Sequence, residues 1–260
     1  GEDLKAKLPE GSRAACIAGE LPENVELSIQ AAVLSPGVPT DIPLVNRMRD
    51  RGVQILGEIE LGFLAEQGRV IAITGTNGKT TTTTLTGEIM KAHFGKDKTF
   101  ANFVYTQPNI GNPYALEADK TSKDSVTVGE ISSFQLETIH TFHPVVSAIL
   151  NITPDHLNRH HTMEAYVAAK EAVASQQTKA DICVLNYDND YTRDFAGRCP
   201  ATPVLFSSHH ELENGYFLRG DKIIKSVNGE EHELMDIHKD MNLVGLCNVE
   251  NVMAAIAIAE

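Results

Sequence analysis

The sequence predicts a doubly wound α/β protein with a mostly parallel sheet, and three features carry that reading. Short, almost continuously apolar runs alternate with segments of helical spacing. One such run enters a glycine-bracketed turn followed by a helix, and a late stretch changes to a strand-turn-strand texture. Strands covered on both faces lose the in-out alternation of half-exposed ones, so continuous apolar runs point to a parallel sheet.

Taken in order, AACIA (14–18), AAVL (31–34), VQIL (53–56), RVIAIT (69–74), SVTVGEI (125–131), VVSAILNI (145–152), DICVLN (181–186) and TPVLFS (202–207) read as strands. IPLVNRMRDRG, TTTTTLTGEIMKAHFG and TMEAYVAAKEAVASQQ carry helical spacing between them, which gives the βαβ rhythm of a doubly wound sheet. NGYFLRGDKIIKSVNGEEHELMDI, with turn signals at Arg219-Gly220-Asp221 and Asn228-Gly229, reads as a small antiparallel meander. A domain boundary is expected near Glu66–Gly68, separating 1–66 from 67–260. The chain opens without methionine and closes on NVMAAIAIAE, a helical pattern lacking a glycine or proline stop, so further protein is expected beyond both ends.

Composition narrows the function. Of 260 residues, 42% are hydrophobic and 22% charged, an ordinary soluble balance. A formal net charge of -13 argues against a nucleic-acid binder that works by neutralising backbone phosphate. One nucleotide held by backbone N–H groups and a lysine remains compatible with it. Cys16, Cys183, Cys199 and Cys247 form no C-x-x-C pair; Cys16 and Cys183 lie in apolar runs and read as buried thiols, in keeping with a reducing cytoplasm. No stretch approaches the length of a membrane span.

The strand RVIAIT leads into Gly75-Thr76-Asn77-Gly78-Lys79-Thr80 and then a helix. Such a turn points backbone N–H groups and a helix N-terminus at an anion. Lys79 would add a point charge at the terminal phosphates, and the Thr80 hydroxyl would be a magnesium ligand. The usual pattern is G-x-x-x-x-G-K-[ST]; here Ile73 holds the place of its first glycine, while the G-K-T core is complete. Thr178-Lys179-Ala180-Asp181 fits the guanine-reading T-K-x-D pattern, but it precedes an apolar strand instead of following one and reads as coincidence.

Glu130 closes one strand and Thr153-Pro154-Asp155-His156 follows another. Ligands of an open α/β sheet lie beyond the carboxyl ends of its strands, so the loop, Glu130 and His156 are expected to share one crevice. A lone carboxylate there is usually a helix cap and a lone histidine structural; three coincident strand ends favour a hard Mg²⁺ held by Thr80, Glu130 and nucleotide phosphates. Lys170 sits in mid-helix, and nothing in its spacing distinguishes it from a solvated lysine.

Together, GTNGKTT, NIGNP, GEISSFQLE, ILNITPDHLNRHHTMEAYVAAK and NVENVMAAIA resemble the Mur ligases of peptidoglycan synthesis, from about Leu34 to the last residue. The E-x-S-S-F-Q-L-E form and SPGVPTDIPLV favour the branch that adds D-glutamate. The resemblance implies a central ATP-binding domain over 67–260, preceded by part of a Rossmann-like UDP-substrate domain over 1–66. A C-terminal amino-acid-binding domain would lie outside the chain, which is expected to be inactive alone. The implied activity is ATP-dependent amide ligation of D-glutamate to UDP-N-acetylmuramoyl-L-alanine through an acyl phosphate. A monomeric cytoplasmic enzyme is expected, with neither nucleic-acid nor membrane partner.

By the same resemblance Gly75, Thr76, Asn77, Gly78, Lys79, Thr80 and Thr81 hold ATP phosphates. Asn248 and Asn251 read adenine; their other reading is as N-caps of the last helix. Thr80 and Glu130 hold one Mg²⁺, and His156 approaches a second near the acyl carboxylate. Lys170 matches a carbamylated lysine, in which CO₂ turns a cation into an oxygen-bearing anion able to bind or position metal. Lys79, Glu130, His156 and Lys170 are the implied catalytic residues, while Ser35, Pro36, Gly37, Asn109 and His156 contact the UDP substrate. Cys247 stands where the family usually has histidine, and Asn158 where aspartate is common. Open alternatives are another Mur or folylpolyglutamate-type ligase, and a nucleotide-binding module without ligase chemistry.

Overall fold

A computed structural model of the chain describes residues 10–94, 99–103 and 113–260. Those up to 33 together with 40–55 form one compact unit, and 34–39 together with those from 56 onward form the other.

In the smaller unit, helices α1 (Glu23–Ser28) and α2 (Pro43–Asp50) accompany strands β1 (Ala31–Leu34) and β2 (Gln54–Gly57), which pair with each other. Proline at the first position of α2 gives up no hydrogen bond, because that N–H has no partner within the helix. Val45 and Met48 bury the inner face of α2. Glu26 accepts Arg47 Nε and Nη2 at 3.0 and 2.9 Å and Arg51 Nη1 at 3.2 Å, which ties α1 to α2.

The expectation of a strand over 14–18 is corrected: that segment has no regular structure. An apolar run becomes a strand only when another backbone meets its N–H and C=O groups, and among the described residues none pairs with it. Cys16 accordingly is half-exposed, not buried, whereas Cys183 is fully buried.

The larger unit begins with α3 (Glu58–Ala65), β3 (Arg69–Thr74), α4 (Lys79–Phe94), β4 (Thr99–Phe103), α5 (Tyr114–Ala118), β5 (Val126–Glu130) and α6 (Ser133–Leu136). It continues through β6 (Val146–Ile149), α7 (Leu157–His160), α8 (Met163–Glu171), β7 (Ile182–Asn186), α9 (Asp190–Ala196) and β8 (Thr202–Ser207). Strands β9 (Gly215–Arg219), β10 (Lys222–Val227) and β11 (Glu230–Asp236), then α10 (Ile237–Asp240) and α11 (Leu246–Ala259), complete it.

Among the described residues one nine-stranded sheet runs β11-β10-β9-β8-β7-β6-β3-β5-β4. Every pair from β4 across to β9 is parallel, and β10 is antiparallel to both of its neighbours, β9 and β11. The meander therefore extends the main sheet, since β9 joins β8 in parallel through Phe206↔Tyr216 and Ser207↔Phe217. Asn228 and Gly229 both have positive φ, at 53° and 81°, as a two-residue hairpin turn of type I′ requires.

The continuous apolar runs have the cause the sequence suggests. In β3, Val70 and Ala72 enter a core with Tyr166, Val173 and Leu185, while Ile71 and Ile73 enter another with Met90, Val128 and Met253. Glu60 on α3 is buried yet satisfied: it accepts the N–H groups of His140, Thr141 and Phe142 at 2.9, 2.7 and 3.2 Å, holding α3 to the approach to β6. The T-K-x-D stretch lies at the amino end of β7, the edge opposite the glycine turn. There Lys179 donates to the carbonyls of Cys199 and Ala201 at 2.8 Å each, and Asp181 accepts the Thr178 N–H at 2.7 Å. These residues stitch the sheet edge. No helix among the described residues is long and apolar enough to cross a membrane.

Candidate active site

Strand β3 is buried from Val70 to Thr74, and the chain must then reverse into α4 over Gly75–Gly78. Gly75 and Gly78 adopt φ of 152° and 85°, values that a side chain disfavours. At Gly78 a Cβ would also lie 2.2 Å from Asn251 Oδ1, so the position excludes larger residues twice over. Lys79 opens α4 and folds back to donate to the Thr76 carbonyl at 3.1 Å.

The acid arrives from the neighbouring strand. Glu130 ends β5, which pairs with β3, and its Oε2 accepts the Thr80 hydroxyl at 2.8 Å. Its Oε1 lies 4.0 Å from Lys79 Nζ. Burial pushes the Glu130 carboxyl above its usual range, against the Thr80 hydrogen bond and the positive charges of Lys79 and Lys170.

Lys170 is the least expected member. It is only 2% exposed, donates to the Gly75 carbonyl at 2.7 Å, and lies 4.8 Å from the centre of the Tyr166 ring. Burial and then repulsion from Lys79 lower its ammonium to about 7, with Asp155 and Glu130 opposing the shift. A lysine that sequence spacing leaves on the surface of mid-helix thus lies in the last turn of α8 and closes the back of the glycine turn.

His156 caps α7 in a left-handed conformation, φ 51° and ψ 26°, which is rare for a residue with a side chain. Asp155 Oδ1 accepts the His156 N–H at 2.7 Å, and Asp155 Oδ2 lies 3.5 Å from His156 Nε2. The imidazole is half-exposed, with Phe134 at 4.9 Å and Tyr166 at 6.4 Å between ring centres.

Several residues that hold this arrangement escaped the sequence reading. Asn151 accepts the Asn77 N–H at 2.8 Å and donates to the Asn77 carbonyl at 3.1 Å. The Thr76 hydroxyl accepts the Thr153 N–H at 3.0 Å and lies 3.2 Å from the Thr153 carbonyl. Tyr166 is fully buried, with its hydroxyl 3.1 Å from Thr76 Oγ1. The turn is therefore clipped to the residues after β6. One signal was available: Tyr166 precedes Lys170 by four positions, which puts both on one face of α8. His160, also buried, sits 2.9 Å from Ser133 Oγ, and burial lowers its imidazole despite Glu137.

The remaining predicted residues fall in two places. Asn251 on α11 is buried and offers Oδ1 to the Thr82 hydroxyl at 3.3 Å and Nδ2 to Asn248 Oδ1 at 3.3 Å. Asn248 in turn donates to the Val244 carbonyl at 2.8 Å, and Gly245 occupies the N-cap, so neither asparagine caps the helix. Thr81 lies half-buried in the first turn of α4. Ser35, Pro36 and Gly37 form a turn closed by Val38 N–H to the Ser35 carbonyl at 2.9 Å. Arg159 reaches the Val38 carbonyl at 3.2 Å while pairing with Glu137 at 2.7 Å, which sets that turn beside α6 and α7. Asn109 lies outside the described residues.

Fold and site together define a P-loop α/β domain in which an acid from the next strand and a lysine from a later helix back the glycine turn. The chain belongs to the Mur ligase middle domain family, which matches residues 73–259. It is 50% identical over 258 residues to the UDP-N-acetylmuramoylalanine--D-glutamate ligase of Lachnoclostridium phytofermentans, covering 99% of this chain and 55% of that protein. The enzyme of the same name from Clostridioides difficile is 46% identical over 245 residues, covering 94% and 52%. The chain thus spans about half the length of the curated relatives it matches. Among solved structures, a UDP-N-acetylmuramoyl-L-alanyl-D-glutamate--2,6-diaminopimelate ligase superposes with a TM-score of 0.58 at 18% identity, covering 90% of this chain and 58% of that one. MurF ligase from Thermotoga maritima in complex with ADP superposes with a TM-score of 0.52 at 15% identity, covering 89% and 60%. At these identities the likeness concerns the fold.

Proposed function

We propose that this chain is the nucleotide-binding core of an ATP-dependent ligase that joins D-glutamate to UDP-N-acetylmuramoyl-L-alanine in peptidoglycan synthesis, acting as a cytoplasmic monomer. The observation that carries the reading is Lys170, buried against the Gly75 carbonyl behind the phosphate loop. A nucleotide switch has no use for a desolvated lysine there. With its ammonium lowered to about 7, a substantial share of the side chain is free amine at neutral pH. An amine can bond to CO₂ and lose a proton, and the resulting carbamate would replace repulsion from Lys79 with attraction.

Residues 67–260 form the ATP domain in this reading, and 1–66 belong to the domain that holds the UDP substrate. The D-glutamate-binding part belongs to the length of the relatives that the chain does not span. Gly75–Thr81 hold the phosphates, Asn248 and Asn251 the adenine, and Ser35, Pro36, Gly37 and Asn109 the UDP-linked substrate. Thr80 and Glu130 suit a first Mg²⁺, because a buried carboxylate beside a hydroxyl is a hard oxygen set. His156 with carbamylated Lys170 suits a second. Bound metal would neutralise phosphate charge as the γ-phosphoryl group moves.

The chain's own residues supply positioning. Lys79 leaves the Thr76 carbonyl for the terminal phosphates, and the loop N–H groups orient them for in-line attack. A carboxylate oxygen of the muramoyl-alanine bonds to the γ-phosphorus as the bond to ADP breaks. The D-glutamate amine then attacks the acyl carbon, phosphate leaves, and the amine loses a proton. His156, fixed by its left-handed backbone and by Asp155, faces the acyl end. In the full-length enzyme, phosphate release should require both UDP-N-acetylmuramoyl-L-alanine and D-glutamate and disappear in Lys79→Met. Release at an equal rate without the amino acid would refute the ligase reading.

A further inference from the structure

A second gathering of ligating groups lies along the same carboxyl edge of the sheet, two strands away from the phosphate loop. Asp188 follows β7, His209 follows β8 and Glu250 lies on α11, and one ligating atom from each falls within 4.8 Å of the others. The phosphate loop and the proposed ligation use none of them.

The three are differently prepared. Asp188 is oriented by its surroundings: Oδ1 accepts the Ser207 hydroxyl at 2.6 Å and lies 2.9 Å from His210 Nδ1, while Oδ2 accepts the Ser208 N–H at 2.7 Å. The Ser208 hydroxyl lies 2.7 Å from Glu250 Oε1 and 3.2 Å from Asp188 Oδ2. A hydroxyl has one proton, so it serves one of these carboxylates at a time and leaves the other facing its neighbour's negative charge. The exposed His209 imidazole has no hydrogen-bond partner among the described residues, which leaves both ring nitrogens available.

We propose that Asp188, His209 and Glu250 form a site for a borderline divalent cation such as Zn²⁺ or Co²⁺, which cross-links the ends of β7 and β8 to α11. An imidazole with two carboxylates suits such ions, whereas Mg²⁺ favours an all-oxygen shell with several waters. Ser207, Ser208 and His210 would be the outer partners that orient the carboxylates, an arrangement common around bound metals. The ion would also steady the face of α11 next to Asn251, whose amide packs against Gly78 of the phosphate loop. This inference stands apart from the ligase reading, because neither its residues nor its preferred ion is shared.

The test is a titration of the metal-stripped chain with Co²⁺ in excess Mg²⁺, followed by visible absorption, with Zn²⁺ as competitor. One equivalent of Co²⁺ is expected to give ligand-field bands that Zn²⁺ abolishes, and His209→Ala and Glu250→Gln should each weaken binding by about tenfold or more. Zn²⁺ should raise the melting temperature of the wild type by about 5 °C and that of neither variant. His232→Ala, which removes another exposed imidazole, should change nothing. Failure to bind Co²⁺, or binding that survives both site variants or falls equally in His232→Ala, would overturn the proposal. Circular dichroism of the variants separates loss of the site from loss of the fold.

Discussion

Thr80 and Glu130, fifty positions apart in the chain, meet through a 2.8 Å hydrogen bond from the Thr80 hydroxyl to Glu130 Oε2. In the proposed complex that hydroxyl turns to a metal ion and the carboxylate becomes its second protein ligand. Glu130→Gln keeps the shape and a partner for Thr80 but removes the charge. It should weaken Mg²⁺–nucleotide binding about tenfold or more while leaving metal-free binding nearly unchanged. Isothermal titration with an ATP analogue, in Mg²⁺ and in chelator, separates the two. Equal losses in both conditions would count against a metal role for Glu130.

The phosphate loop depends on Asn151, whose side chain holds both the N–H and the carbonyl of Asn77. Asn151→Ala should cost about 1 kcal/mol of stability, the net worth of partly exposed hydrogen bonds. Because the loop then pays for its own ordering on binding, nucleotide affinity should fall about tenfold. Urea unfolding and calorimetry together check this. A stability loss with unchanged affinity would make Asn151 a structural residue only.

Lys170 sets a pH dependence of opposite sign to that of a paired lysine. Its folded-state ammonium titrates at about 7 instead of 10.5, so between these values the unfolded chain binds more protons than the folded one. Unfolding free energy therefore rises with pH across that window, by up to about 1.4 kcal/mol per pH unit, and the burial penalty is greatest below pH 7. Lys170→Met should remove this slope, so its stability advantage over the wild type shrinks as pH climbs from 7 toward 10. Parallel curves for the two proteins in CO₂-free buffer would show that Lys170 is not desolvated as described.

Legibility in the sequence followed range. The run RVIAIT announced a strand buried on both faces, and the glycines and lysine after it announced the turn, because each signal is local. The run over 14–18 looked equally strand-like and is not one, since pairing depends on a partner backbone that no local pattern reports. The β9–β11 meander was readable as hairpins, but its parallel docking onto β8 depends on contacts across the sheet. Glu130 and His156 were visible as strand-end residues. Lys170 was not, because its burial is decided by a carbonyl 95 positions away. Asn151 and Tyr166 escaped for the same reason: an amide after a strand and an aromatic ring in a helix look ordinary until the loop they hold is in place.

In the proposed enzyme the Gly75–Thr80 turn, Glu130 and Lys170 serve one nucleotide and its metal. A crystal structure of the chain with Mn²⁺ and a non-hydrolysable ATP analogue tests it most directly, since anomalous scattering locates the ion. The expected map has the terminal phosphates on the loop N–H groups and Lys79, with the ion touching Thr80 Oγ1 and a Glu130 oxygen. Phosphates bound elsewhere, or an ion that leaves the Thr80–Glu130 hydrogen bond intact, would contradict it.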